Sequence, residues 1–235
     1  VVATVVAAHR RDPRRRDLTR GSWGLLAVLA IEIPLGGVTV LTGLTPGIVA
    51  AHFLVSMALI AQAVWLEDRA SAGGGAGRLV VAGDARRWSW AAVSLGAVVL
   101  VSGTIVTGSG PHSGDEDVGR LPFDITEVAR VHSGAMWLLL LTSCVAMWRA
   151  YRNGAPERLR RRGGVLVAAI VLQAGLGYTQ YAMGVPPWLV GAHIFGSVVV
   201  WIALLRFHLG FVERDPEGAV PPGATADGTP EVAAR

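Results

Sequence analysis

Long apolar runs alternate with short polar ones along this chain. A spanning helix needs roughly 20 mainly apolar residues. Six runs reach that length, at about 22–42, 47–66, 88–107, 127–148, 164–183 and 188–210. Residues 1–8, VVATVVAA, read as the last two turns of a further helix. The pattern predicts an all-α integral membrane protein with about six complete transmembrane helices.

The polar connections alternate in character. His9 to Arg20 holds Arg10, Arg11, Arg14, Arg15, Arg16 and Arg20, and the next connection, TGLTP, has no charge. The Gly-rich link at 67–87 carries Arg69, Arg78, Arg86 and Arg87. The loop at 108–125 is acidic, with Asp115, Glu116, Asp117 and Asp124 against Arg120. Residues 149–162 are again arginine-rich, and the last turn, GVPP, is uncharged. Arginine is retained on the cytoplasmic side. The Arg-rich connections are therefore expected inside, and TGLTP, the acidic loop and GVPP outside. The alternation runs through the chain without a conflict.

Composition agrees with this reading. The 235 residues are 52% hydrophobic, with a mean hydropathy of +0.48, more apolar than an ordinary soluble domain. All 21 basic residues are arginine. A sequence pI near 10.2 suggests nucleic acid at first sight. The arginines cluster beside apolar spans, so topology explains them better and no nucleic-acid partner is expected. The single cysteine, Cys144, allows neither an intrachain disulfide nor a cysteine-based metal site. The chain begins at Val1 with no charged leader and cleavage site, so no signal peptide is visible. The tail after Phe211, rich in Pro, Gly, Ala and acids, is expected to be a disordered cytoplasmic segment over 212–235.

One polar pattern runs inside the apolar runs. Residues 184–197, GVPPWLVGAHIFGS, resemble residues 43–56, GLTPGIVAAHFLVS, at a constant offset of 141. Gly184, Pro187, Ala192, His193 and Ser197 fall on Gly43, Pro46, Ala51, His52 and Ser56. Upstream, Leu176-Gly177 falls on Leu35-Gly36, and Gln173 on Glu32. His52, His132 and His193 each lie six residues after the start of an outer helix end, about 9 Å deep at 1.5 Å per residue. Three imidazoles at one level point into one bundle or two. A single intramembrane histidine often only bonds a neighbouring helix. Core packing rarely repeats it at the same depth in two duplicated helices, whereas a bound cofactor requires that. A haem fits best, needing imidazoles from facing helices and an apolar slot. Zinc or copper usually adds Cys or carboxylate ligands, and none lies at this level. His132 and His193 form one such pair. The offset places the partner of His52 upstream of Val1. The repeat unit is then four helices and the parent protein has eight.

At these residues the chain resembles haem A synthase. LGGVTVLTGLTPGIVAAHFLVSMALIA is similar to the third and fourth helices of that family. GTIVTGSGPHSGD with ARVHSGAMWLLLL is similar to helices five and six of its actinobacterial form, and LQAGLGYTQYAMGVPPWLVGAHIFGS to helices seven and eight. The resemblance reaches to about residue 211, with the first helix and most of the second absent. It implies two similar four-helix bundle halves. Residues 1–70 would be the remnant of the N-terminal half, 71–87 a cytoplasmic linker and 88–211 the C-terminal haem-binding half. The implied activity is oxidation of a methyl group of haem O to a formyl group, giving haem A for cytochrome oxidase. Two hydroxylations of one carbon would be followed by loss of water. Haem b would be held by His132 and His193 in the C-terminal half, and haem O, the substrate, would be received at His52, the implied catalytic residue. All three histidines are thus implied iron ligands.

The resemblance further implies the bacterial inner (plasma) membrane, with the histidine level towards the extracytoplasmic side. Implied partners are the lipid bilayer, haem O synthase, cytochrome oxidase assembly proteins and a second copy of the chain. The chain departs from the family in His132-Ser133, where His-Arg is common, and in lacking paired outer-loop cysteines. A chain without the helix carrying one substrate-site histidine is expected to be inactive alone. The competing readings are a b-type haem electron carrier without synthetic activity and, more weakly, a transporter, which would need helices broken at mid-membrane.

Other residues are weighed beside these. Glu32 is read as a neutral acid bonded to a neighbouring helix, nearer the cytoplasmic side than His52, or as a proton relay. Arg130 is a candidate for a haem propionate, or else pairs with Glu127 or snorkels. The glycine-rich TGSGPHSGD backbone meets a propionate or simply ends a helix. His112 is expected to be solvated, and His9 and His208 to be ordinary surface residues. Trp88, Trp90 and Trp188 read as interface anchors.

Overall fold

The computed structural model describes residues 1–81, 83–115 and 117–214. It consists of helices α1 (Val2–Arg10), α2 (Arg16–Leu41), α3 (Pro46–Ser71), α4 (Ala85–Ser109), α5 (Ile125–Arg152), α6 (Glu157–Ala182) and α7 (Pro187–Leu209), with strands β1 (Gly77–Leu79) and β2 (Val212–Arg214). Six of these helices, α2 to α7, are long and apolar enough to cross a membrane, and the chain is an all-α integral membrane protein. Each expected span falls on one of them, overrunning it by one residue at most, and α1 contains most of VVATVVAA. The helices overrun the apolar runs mainly at the arginine-rich end. The 26 residues of α2 extend about 39 Å, beyond the ~30 Å of a hydrocarbon core. Backbone hydrogen bonding therefore continues where hydropathy stops. None of the spanning helices is broken at mid-membrane.

Successive helices pack as antiparallel neighbours, and α4 to α7 close a four-membered ring, with α7 returning onto α4. α3 lies against both α4 and α7, and α2 packs on α3. Small residues permit the close approaches. Ala92 and Ala146 are fully buried, and a Cβ on Gly96 would sit 2.5 Å from Leu204 Cδ2. The indole Nε1 of Trp201 donates to the Met57 carbonyl at 3.0 Å and ties α7 to α3.

The uncharged turns share one backbone form. Gly43 and Leu44 have φ of 63° and 59°, and Gly184 and Val185 have 73° and 54°. Leu44 donates to the Thr39 carbonyl at 2.9 Å, and Val185 to that of Gln180 at 2.7 Å. A non-glycine residue with positive φ is uncommon. Here it occurs twice, 141 residues apart. Pro46 and Pro187 then open the next helices, where a missing N–H costs nothing. The acidic loop is tied to both turns. Asp115 N–H donates to the Gly43 carbonyl at 3.1 Å, and His112 Nε2 donates to the Val185 carbonyl at 2.8 Å. His112 is thus bonded to protein, because the loop folds back over the helix ends.

At the arginine-rich end, Arg15 is buried and donates to the carbonyls of Ala72 (2.8 Å) and Arg69 (2.9 Å) and to Asp17 (2.8 Å). Arg69 Nε also donates to Asp17 at 2.8 Å. This carboxylate joins the start of α2 to the end of α3. Asp17→Asn is expected to destabilise the protein by about 2 kcal/mol, since it removes the carboxylate that Arg15 and Arg69 share between α2 and α3. Thermal unfolding in detergent checks this. The expected disorder of the tail fails for Val212–Arg214, which pair antiparallel with β1 and are held by ladder hydrogen bonds. The rest of that segment lies outside the described residues, as does Glu116.

Candidate functional site

His132 on α5 and His193 on α7 converge inside the four-helix ring. Their ring centroids are 6.5 Å apart with planes at 72°. The same level is reached because each follows a helix start at the end opposite the arginine-rich connections. Asp124 caps α5, its carboxylate accepting from the Thr126 and Glu127 N–H groups at 2.9 and 3.0 Å.

Each imidazole is held through Nδ1 by the neighbouring helix. Ser102 on α4 lies 3.0 Å from His132 Nδ1 and donates its own proton to the Val99 carbonyl at 3.1 Å, so its oxygen accepts from the ring. The Gln173 amide on α6 reaches His193 Nδ1 at 3.0 Å and the His193 carbonyl at 2.7 Å. Neither Nε2 has a hydrogen-bond partner among the described residues. With Ser102 accepting from Nδ1, His132 Nε2 is left unprotonated for a metal. The Gln173 amide nitrogen donates to His193 Nδ1, so His193 would offer Nε2 to a metal only with that amide turned to accept from Nδ1 through its oxygen. Glycines seat the rings. A Cβ on Gly103 would stand 3.1 Å from His132 Cε1, and one on Gly177 2.9 Å from His193 Cε1.

Both histidines line a cavity of about 570 Å³ between α4, α5, α6 and α7, together with Ala129, Met136, Trp137 and Tyr178. They also border a smaller hollow of about 120 Å³ towards α3, lined by Val49, Phe53 and Leu100. Tyr178 accepts from the Trp137 indole at 3.0 Å and is bonded to Ser133 at 2.6 Å, which fixes one wall. Arg130 lines the same cavity and is exposed. No ion pair joins it to Glu127 among the described residues, although the two are three residues apart.

The residues fit a haem by their chemistry. Two metal–imidazole bonds of about 2 Å plus the two ring radii give roughly 6 Å between centroids. The observed separation is 6.5 Å. The walls are mainly apolar, and no cluster of three or more His, Cys, Asp or Glu competes for a metal among the described residues.

His52 stands apart from this pair, on the α2 side of α3. Its Cε1 would meet a Cβ on Gly36 at 3.1 Å, the same seating on glycine. Its Nδ1 lies 3.3 Å from Glu32 Oε1, within ion-pair range but not aligned as a hydrogen bond. Ser56, one turn below, donates to the same Glu32 oxygen. Glu32 Oε2 is buried without a partner among the described residues. Glu32 thus bonds the neighbouring helix, as read from the sequence, through Ser56, with His52 within ion-pair range. The antiparallel pairing of α2 with α3 brings it there.

Three partners were not singled out from sequence for these roles: Ser102, Gly103 and Ser89. Gln173 and Gly177 carried a signal, since the 141-residue offset matched them to Glu32 and Gly36. His208 is a correction. It is buried, 2.9 Å from Ser89 Oγ and stacked near Trp90 at 4.2 Å, because α7 returns onto α4. His9 is exposed, bonds the Val5 carbonyl of its own helix and meets the Trp23 ring edge-on. Trp188 is exposed, as a lipid-interface side chain would be, and Trp88 is half-buried with its indole on Asp84.

No model of a known protein family matches the chain, and no solved structure matches it. A curated protein of Rhodospirillum centenum named Heme A synthase is 29% identical over 206 residues, covering 75% of this chain and 54% of the relative. The chain therefore spans about half the length of the curated relative it matches. The similarity supports membership of the haem A synthase family.

Proposed function

We propose that the chain forms the haem-binding part of an oxidoreductase that converts a methyl group of haem O to the formyl group of haem A for cytochrome oxidase. The paired imidazoles of His132 and His193, 6.5 Å apart beside a cavity of about 570 Å³, carry the reading. They would hold a haem b, which supplies one-electron redox chemistry when bound. Ser102 and Gln173 orient the two rings. Gly103 and Gly177 leave room for them, and the apolar walls exclude water. Arg130, which lines the cavity and makes no ion pair among the described residues, would meet a propionate.

His52 is the ligand proposed for haem O, positioned by Glu32 and Ser56. The two matched turns and the seating of His52 and His193 on Gly36 and Gly177 support a duplicated architecture of two four-helix halves. The arginine distribution supports an orientation with the histidines towards the outer side, and the similarity to a haem A synthase supports a bacterial plasma-membrane location. Haem O synthase, oxidase assembly proteins and a second copy of the chain are the partners that follow from this role.

The test uses the product of the whole gene encoding this chain, supplied with haem O, dioxygen and a reductant, with extracted pigments identified by mass. Haem A should form, and His52→Ala should lower its yield by at least ~100-fold, the upper end of what loss of a supporting residue costs. Unchanged haem O with haem b retained would reject the synthase and leave the electron carrier.

A further inference from the structure

A second cavity, of about 380 Å³, opens at the arginine-rich end, far from the histidines in the fold. The end of α3, the start of α6, the end of α7 and β2 enclose it. Its charged lining is Arg11, Arg158, Arg162 and Arg214 against Asp68 and Glu213. Among the described residues, the lining acids do not balance Arg158, Arg162 and Arg214. Glu213 is exposed and pairs outwards with Arg78 at 3.1 Å. Asp68 lies 3.9 Å from Arg162 and is its sole ion-pair partner among the described residues. Arg158 and Arg214 make no ion pair within 4 Å among the described residues. Burial, and then the nearby Arg69, hold the Arg214 guanidinium below its ordinary pKa.

Guanidinium groups gathered in a half-buried hollow repel one another until an anion enters. The helix end favours the same occupant. Pro156 lines the cavity at the N-cap of α6, and no side chain caps that first turn. The N–H groups and helix dipole of a long helix attract an anion there. Guanidinium forks match phosphate oxygens in pairs. The volume is roughly ten times the ~30 Å³ share of a water, so it admits a phosphate with its attached group. Basic pockets at the arginine-rich ends of membrane helices also suit anionic headgroups.

We propose that this cavity binds a phosphate-bearing anion through Arg158, Arg162 and Arg214. The source is a lipid headgroup or a soluble phosphate, and two probes separate them. Thermal unfolding of the detergent-purified chain is followed with sodium phosphate against chloride at equal ionic strength. It is also followed with phosphatidylglycerol against phosphatidylcholine in mixed micelles. At least one probe should raise Tm saturably by about 5 °C near 100 times its Kd. A rise with phosphatidylglycerol alone identifies a headgroup, and a rise with phosphate identifies a soluble anion. The double variant Arg158→Gln, Arg214→Gln should lose the rise. Arg160→Gln with Arg161→Gln, outside the lining, should keep it. Arg158→Gln alone, at an exposed position, replaces the double variant should that fail to fold. No rise with either probe, a rise retained without Arg158, or an equal loss in the control pair would overturn the proposal.

Discussion

Replacing either His132 or His193 by alanine is expected to empty the haem site of the purified chain. Each ring would be a separate ligand on a separate helix, so one could not substitute for the other. Removing a partner outside the ligand set typically costs ~10–100-fold in affinity, and removing the ligand itself should cost more. Retained haem per chain, measured after detergent purification, is the readout. The fold should survive, because the rings border cavities rather than filling the core built on Leu166, Leu204 and Phe207. Added imidazole should restore part of the haem in both variants. Haem retained at full stoichiometry in either one would exclude that residue as a ligand.

Gly177→Val is expected to weaken haem retention by ~10–100-fold while both ligands remain. Its Cβ would stand 2.9 Å from His193 Cε1, closer than real Cβ contacts allow, and the γ carbons would press further. The imidazole must then shift from its place beside the cavity. Gly175 supplies the control, since nothing lies within 4 Å of a Cβ placed there. Gly175→Val carries the same change of helix propensity without touching the ring. Retained haem in both proteins, read from absorbance against protein concentration, decides the matter. Equal loss in the two would assign the effect to the helix rather than to the imidazole seat.

The spans were legible because hydropathy over twenty residues is a strong signal. Their inner ends were not, because Arg16 and Arg152 are as helical as their apolar neighbours once α2 and α5 are anchored. The His132–His193 pair was legible from equal depth below the outer helix ends. Glu32 is expected nearer the cytoplasmic side than His52, and it bonds Ser56, one turn inward of His52. Its approach to His52 as well follows from the antiparallel α2–α3 pairing, which its own helix does not encode. Ser102 and Ser89 carried no periodic mark. Their roles depend on how α4 registers against α5 and α7, which one helix sequence does not encode. The same register buries His208, whose place near a helix end suggested exposure.

The paired-histidine site is tested most directly by the reduced-minus-oxidised absorption spectrum of the purified chain, with the haem-to-protein ratio determined on the same sample. Coordination by His132 and His193 predicts a low-spin b-type spectrum with about one haem per chain. A folded chain with no haem, or with a high-spin spectrum from a single ligand, would contradict it.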